Sequence, residues 1–341
     1  MSGAQPAPLL KLEGLTKHFA VQSGGFFRRH VTALRAVDGV DLEIQAGETL
    51  GLVGESGCGK STLGRMIIRL IEPTAGSIVF DGVDITRLDM QALREHRRGM
   101  QIVFQDPFGA LNPRMTVEDI IMEPLLIHGA RHDDAARKRV DEMLGLVEAD
   151  LRAAYKITDK QARYAAVDAA KARVKEAFAP KGDEAPKWSD EPVSALDVSV
   201  QAQIVNLLQD LQRDLGLTYL FIAHDLSVVK HISDRVAVMY LGRVVEIADK
   251  RAIYAAPRHP YTQALIAAVP VLKPRERGRG RRVRITGDIP SALNPPSGCR
   301  FHTRCPYVMP VCRTDEPKLA PTDAGHLVAC HLMDNQESNK G

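Results

Sequence analysis

The nine residues Gly54-Glu55-Ser56-Gly57-Cys58-Gly59-Lys60-Ser61-Thr62 constrain this chain more than any other stretch. They fit G-x-x-x-x-G-K-[ST], a loop whose glycines let successive backbone N–H groups close around phosphate oxygens. The residues before it, Thr49-Leu50-Gly51-Leu52-Val53, are nearly continuously apolar, as in a parallel strand buried on both faces. The residues after it read as a helix from about Lys60 to Leu70, with its positive end toward the bound anion. Strand, loop and helix in this order predict an α/β fold built around a nucleotide phosphate site. All nine loop residues are candidate nucleotide contacts, with Lys60 reaching the β- and γ-phosphates and Ser61 ligating Mg²⁺. Cys58 reads as a small packing residue rather than a reactive thiol.

Composition narrows the partners. The 341 residues carry 45 Lys and Arg against 42 Asp and Glu, a net charge of only +3, which argues against bulk binding of a nucleic-acid backbone. At about 150 residues per domain the length suits about two domains. No apolar run approaches the ~18 residues of a membrane span, and the longest, Ala264 to Leu272, contains Pro270. Met1 to Pro8 lacks the basic-then-apolar order of a secretory leader. The five Cys do not read as a disulfide scaffold.

Further segments extend the pattern. Val40 to Ile44 alternates as a half-buried strand does, and Gly76 to Gly82 reads as a strand ending in a turn. Met100 to Pro107 is a buried strand that closes on Gln105. Asp190-Glu191-Pro192-Val193-Ser194-Ala195-Leu196-Asp197 precedes a helix over about Val200 to Leu215, and Leu217 to Asp225 is a strand reaching His224. Together these pieces resemble the ATP-binding subunit of ATP-binding-cassette (ABC) transporters. Gln105-Asp106-Pro107-Phe108-Gly109-Ala110-Leu111-Asn112-Pro113 and His259-Pro260-Tyr261-Thr262 are similar to the dipeptide and oligopeptide importers in particular. The resemblance covers about residues 9–148 and 190–332.

That resemblance implies a mixed sheet flanked by helices, an antiparallel β region and a helical subdomain over about 106–180. It places a nucleotide-binding domain at 9–253 and a small Cys-rich extension at 254–332. It also implies ATP hydrolysis that drives peptide import at the cytoplasmic face of a bacterial inner membrane. The implied partners are two membrane-spanning permease subunits, a second ATP-binding subunit and an external peptide-binding protein, with no nucleic acid. Phe19 would stack on adenine, with Phe26 and Phe27 as competitors for that role. Gln105 would touch Mg²⁺ and the attacking water, and Asp190 would hold Mg²⁺ through water. Glu191 would act as general base, His224 would contact the γ-phosphate, and Asp197 would sit at the dimer interface. Two other readings stay open: a catalytically silent ATP-binding subunit, and a non-transport ABC ATPase acting on nucleic acid.

One block departs from the family. Its signature, a Ser-Gly-Gly-Gln type motif opening a helix, is absent: between Gly145 and Asp190 the only Gly is Gly182. The apolar strand expected before Asp190 is missing as well, its place taken by Ala185-Pro186-Lys187-Trp188-Ser189. Residues 151–180 read instead as a helix, capped by Thr158-x-x-Gln161 and ended by Pro180 and Gly182. Ala154 to Val167 is similar to the helical segment of bacterial polynucleotide phosphorylases. Foreign sequence therefore occupies roughly residues 149–189. Without the signature, whose amides would grip the γ-phosphate, ATP binding should survive and hydrolysis should be weak.

The C-terminal part carries two more features. Arg275 to Arg284 holds six Arg in ten residues and suits a solvated linker or contact with an anionic membrane. Cys299, Cys305, Cys312 and Cys330 are separated by five, six and seventeen residues. Four thiols so placed can ligate a metal centre or remain reduced and buried. In some members of the resembled family they look like ligands of a [4Fe–4S] cluster, and the spacing suits zinc less well.

Overall fold

The computed structural model describes residues 7–23, 30–102, 115–127, 131, 133–142, 189–190, 198–223, 226–268, 285, 287–322 and 325–333. Phe26, Phe27, Gln105, Glu191, Asp197 and His224 lie outside the described residues. So do the Arg-rich run and all of 149–189 except Ser189.

Two sheets carry the fold. The first is antiparallel, in the order β2-β1-β4-β5, from strands β1 (Leu10–Ser23), β2 (His30–Ile44), β4 (Ala75–Phe80) and β5 (Val83–Asp84). Its inward positions follow the period of two: Leu10 and Leu12 of β1, and Val40, Leu42 and Ile44 of β2, are buried. The second sheet has seven strands, in the order β10-β11-β9-β8-β3-β7-β6. These are β3 (Thr49–Val53), β6 (Ser189–Asp190), β7 (Tyr219–Ile222), β8 (Arg235–Tyr240), β9 (Arg243–Asp249), β10 (Ala320–Pro321) and β11 (Leu327–Val328).

All five residues of β3 are buried, and it lies between parallel partners β7 and β8. Its two faces feed two cores. Leu50 and Leu52 join Leu63, Met66 and the antiparallel sheet, whereas Val53 joins Phe221, Val238, Tyr240, Tyr261 and Phe301. Gly51 has no alternative in this packing, because a Cβ there would come within 2.4 Å of Val229 Cγ1 and Ser233 Oγ. The helix Leu226–Ile232 thus rests against the strand backbone.

Several sequence expectations change, and Met100, Gln101 and Ile102, the described part of the strand expected over Met100 to Pro107, form no strand. The helix after the loop spans Lys60–Ile67, not as far as Leu70. It stops in a Schellman turn: Leu70 N–H donates to Arg65 O at 2.8 Å and Arg69 N–H to Met66 O at 2.9 Å. Arg69 takes the left-handed position, φ 53°, that a Gly usually fills. Its guanidinium holds it there by bonding Glu72, Ile85 O and Leu88 O. The strand expected to be missing before Asp190 is present as a two-residue ladder, with Ser189 opposite Phe221 and Asp190 opposite Ile222. Backbone pairing along the free side of β7 needs no apolar side chain, and Pro186 lies upstream of the paired residues.

Of the helical subdomain, the described parts are the helix Val117–Ile127 and helical residues 134–142, which share a small core of Met122, Ala136 and Val140. The extension continues the cassette rather than standing apart from it. Its β11 pairs with β9 at Leu327–Ile247 and Val328–Glu246.

Candidate nucleotide-binding site

The loop Gly54–Thr62 leaves the C-terminal end of β3 and returns as the helix Lys60–Ile67. Three glycines take positive φ: 155° at Gly54, 78° at Gly57 and 110° at Gly59. Two of them are also sterically required. A Cβ on Gly59 would lie 2.1 Å from Ala36 O, and one on Gly54 would lie 2.2 Å from Met239 O. The loop is therefore clamped between β2 and β8. Gly59 forms the helix N-cap with no side-chain hydrogen bond, so the first-turn N–H groups point into the cleft without a capping partner.

That cleft, ~390 Å³, is lined by Phe19, Leu34, Ala36, Ser56, Gly57, Gly59, Lys60, Ser61, Thr62 and Ala292. Phe19, carried to the cleft by the pairing of β1 with β2, forms one wall, with Lys17 Nζ 5.1 Å from its ring centroid. An aromatic wall opposite backbone donors suits a base above a phosphate chain. Lys60 is 5% exposed, and its ammonium donates to Gly54 O at 2.8 Å and Glu55 O at 3.2 Å. The loop carbonyls thus hold the lysine over the cradle it is expected to serve. Cys58 is buried, its thiol pushed up by desolvation, as the packing role requires. The glycine cradle, which admits no Cβ at Gly54 or Gly59, and the uncapped helix start fit a bound triphosphate. Exposed Ser61 at that helix start fits a Mg²⁺ ligand.

Two residues at the loop were not assigned a role from sequence. Tyr261, in the helix Pro260–Ala268, accepts a hydrogen bond from Glu55 N–H at 2.9 Å. Arg304, in the Cys-rich extension, donates to both Glu55 carboxylate oxygens, at 2.8 and 3.1 Å. The His259-Pro260-Tyr261-Thr262 motif marked the first, although only its family likeness was legible. Behind them Tyr240, Tyr261 and Phe301 pack with centroids 4.7 to 5.5 Å apart.

The four thiols of the extension lie near one another. Burial pushes Cys330 up to about 12 and Cys299 up to about 11, with the neighbouring cysteines adding to each shift. Among the described residues, no three His, Cys, Asp or Glu side chains form a group able to hold a metal ion. As placed, Cys299 and Cys305 pack as half-buried apolar side chains against the Tyr240–Phe301 core.

A seven-stranded mixed sheet, an antiparallel sheet beside it and a glycine-clamped phosphate loop between them define an ABC-type ATPase. Solved structures agree. Two dimeric structures of the ABC cassette MJ0796, one of them bound to ADP and Pi, cover 71% of this chain and 99% of theirs. Their TM-scores are 0.51 and 0.52, at 26% and 28% identity. The ABC transporter family model matches residues 37–177, and that of the oligopeptide/dipeptide transporter C-terminal region matches 245–312. The oligopeptide transport ATP-binding protein AppF of Bacillus subtilis is 46% identical over 335 residues, covering 97% of this chain and 99% of its own. A probable peptide ABC transporter ATP-binding protein, y4tS of Sinorhizobium fredii, is 48% identical over 327 residues, covering 95% and 90%. The chain belongs to the ATP-binding subunits of the oligopeptide and dipeptide ABC transporters.

Proposed function

We propose that this ATPase subunit powers peptide import from the cytoplasmic face of a bacterial inner membrane. It would work with two membrane-spanning permease subunits, a second ATP-binding subunit and an external peptide-binding protein. The observation that carries the nucleotide part is the cleft, where Phe19 faces Gly57, Gly59, Lys60, Ser61 and Thr62. In this reading Phe19 stacks on adenine, the loop N–H groups and Lys60 hold the β- and γ-phosphates, and Ser61, Gln105 and Asp190 hold Mg²⁺. The metal supplies charge neutralisation on the phosphates. Glu191 takes the proton of the attacking water, His224 contacts the γ-phosphate, and Asp197 meets the second subunit. Among the described residues no helix is long and apolar enough to cross a membrane, so the permeases supply the path.

The absence of a Ser-Gly-Gly-Gln motif between Gly145 and Asp190 supports a further part of the proposal. The segment 149–189, with its likeness to polynucleotide phosphorylase, replaces the γ-phosphate grip, and hydrolysis by this chain alone is very weak. Removing a single donor of that kind costs about 10²–10³ in rate. The test measures ATP binding and phosphate release by the purified chain, alone and with its partner ATP-binding subunit. Tight ATP binding with turnover far below ~1 s⁻¹ for the chain alone is expected; faster turnover rejects impairment, and failure to bind ATP rejects the site. Recovery with the partner would show that this loop uses the partner's signature. Silence in both settings would favour the regulatory subunit.

An iron–sulfur centre at Cys299, Cys305, Cys312 and Cys330 rests on the spacing of the four thiols and the family resemblance, and as placed they form no metal-holding group among the described residues. Iron and sulfide analysis of anaerobically purified protein decides between it and four reduced thiols.

A further inference from the structure

Glu55 sits second in the phosphate loop, one residue before Ser56 of the cleft lining, so a bare carboxylate there would add negative charge close to the phosphate cradle. Its charge is not bare. Arg304, 249 residues away in the Cys-rich extension, grips both carboxylate oxygens in a planar fork. The contact belongs to the interior: the Arg304 side chain is 8% exposed and that of Glu55 24%. The guanidinium also lies 5.8 Å from the Tyr240 ring centroid, which fixes its direction. The backbone of the same residue is held at both ends. Its N–H donates to the Tyr261 hydroxyl at 2.9 Å, and its carbonyl accepts from Lys60 Nζ at 3.2 Å. Every polar group of Glu55 is thus engaged by the extension, by the helix Pro260–Ala268 or by the loop lysine.

We propose that Arg304 is a positioning residue for nucleotide binding: it neutralises and immobilises Glu55, so that the extension sets the charge and shape of the phosphate loop. The inference rests on the nucleotide-site reading above and goes beyond it by giving the extension a role in ATP affinity. Two physical effects act in one direction. Neutralising the carboxylate removes repulsion of the incoming polyanion in a site of reduced dielectric. Fixing the loop beforehand removes part of the ordering cost of binding. An extension that served only as packing would need neither a fork nor a carboxylate in the loop.

The experiment measures the equilibrium affinity of the full chain for a fluorescent ATP analogue with Mg²⁺, alongside thermal unfolding of each variant. Arg304→Gln is expected to weaken binding roughly tenfold, because Glu55 is then unpaired. The double variant Arg304→Gln with Glu55→Gln is expected to recover most of that loss, since no uncompensated charge remains. Loss and rescue of affinity that exceed any change in thermal unfolding separate this role from a purely structural ion pair, whose double variant would recover stability alone. Arg304→Gln binding within twofold of wild type overturns the proposal, and so does a double variant no better than the single one. If Arg304→Gln does not fold, Arg304→Lys, which keeps the charge, decides: affinity within about threefold of wild type is expected, and a tenfold loss overturns the proposal. Wild type that binds no ATP would reject the nucleotide site itself, a result distinct from all of these.

Discussion

The Glu246 carboxylate and the His326 ring, eighty residues apart, meet at 2.6 Å with the carboxylate fully buried. Glu246 is the hub between strand β9, the helix Pro260–Ala268 and the hairpin of the extension. One oxygen accepts from His326 Nε2 and from Arg258 N–H at 2.7 Å, and the other accepts from His259 N–H at 3.0 Å. Burial alone would push this carboxyl up; the His326, Arg258 and His259 donors outweigh burial and hold it below its ordinary value. Glu246→Gln would turn an NH₂ toward at least one of these donors. A loss of about 2–3 kcal/mol in stability is expected, read as a lower midpoint in urea unfolding. A change below ~0.5 kcal/mol would show that the hub is not a structural tether.

The same region predicts the shape of the pH profile. His259 is fully enclosed, and burial depresses it from 6.5 to about 4. The unfolded chain therefore binds the extra proton first as pH falls. Stability contributed by neutral His259 is complete above about 6.5 and is lost from there down through 4, a span worth ~3 kcal/mol. Glu246, held low, adds to the loss at the acid end. On the alkaline side the sign reverses. Cys299 and Cys330, raised from 9.0 to about 11 and about 12, contribute stability that is present below 9 and lost as pH rises. Melting temperature against pH should thus show a plateau between about 6.5 and 9. Cys330→Ala should flatten the alkaline limb, and an unchanged limb would count against buried neutral thiols.

The phosphate loop distinguishes two glycines that look alike in sequence. Gly59→Ala places a methyl 2.1 Å from Ala36 O at φ 110°, so the loop cannot keep its form and ATP binding should be lost. Gly57→Ala, with φ 78° and nothing within 4 Å of the new methyl, should cost only the ~1–2 kcal/mol of left-handed strain. Nucleotide titration and thermal unfolding of the two variants give the comparison. Equal losses of affinity would mean that conformation, not clearance, controls the loop.

Tyr261→Phe removes the acceptor for Glu55 N–H while keeping the ring that packs on Tyr240 and Phe301. Its expected cost is ~1–2 kcal/mol, from one unmet donor, in chemical unfolding. Tyr261→Leu should cost more, because the ring contacts vanish too. If the two variants are equally stable, the hydroxyl rather than the ring anchors the helix.

The loop and its strand were legible because glycine spacing and an apolar run are local signals, and Gly54, Gly59 and Lys60 stand where those signals point. Phe19 was legible only through family likeness; what brings it to the cleft is the pairing of β1 with β2, opposite Leu34. Arg304 and Glu246 could not be read this way. Each acts across more than seventy residues, and a buried ion pair leaves no periodicity in the chain. The helix stop at Ile67 was missed because Arg69 replaces the expected glycine and is stabilised by partners at Glu72, Ile85 and Leu88. The short β6 was not legible because edge pairing is a backbone property that leaves no apolar pattern in the chain.

Pro321 lies in β10, the outermost strand on the extension's side of the seven-stranded sheet. It has no amide proton to offer another chain, and a two-residue strand is too short to template one. The small C-terminal hairpin therefore covers the middle of β9, at Val245, Glu246 and Ile247, and ends in a strand that offers little to cross-chain pairing. Among the described residues, a single proline thus ends hydrogen-bonded growth of the sheet on this side.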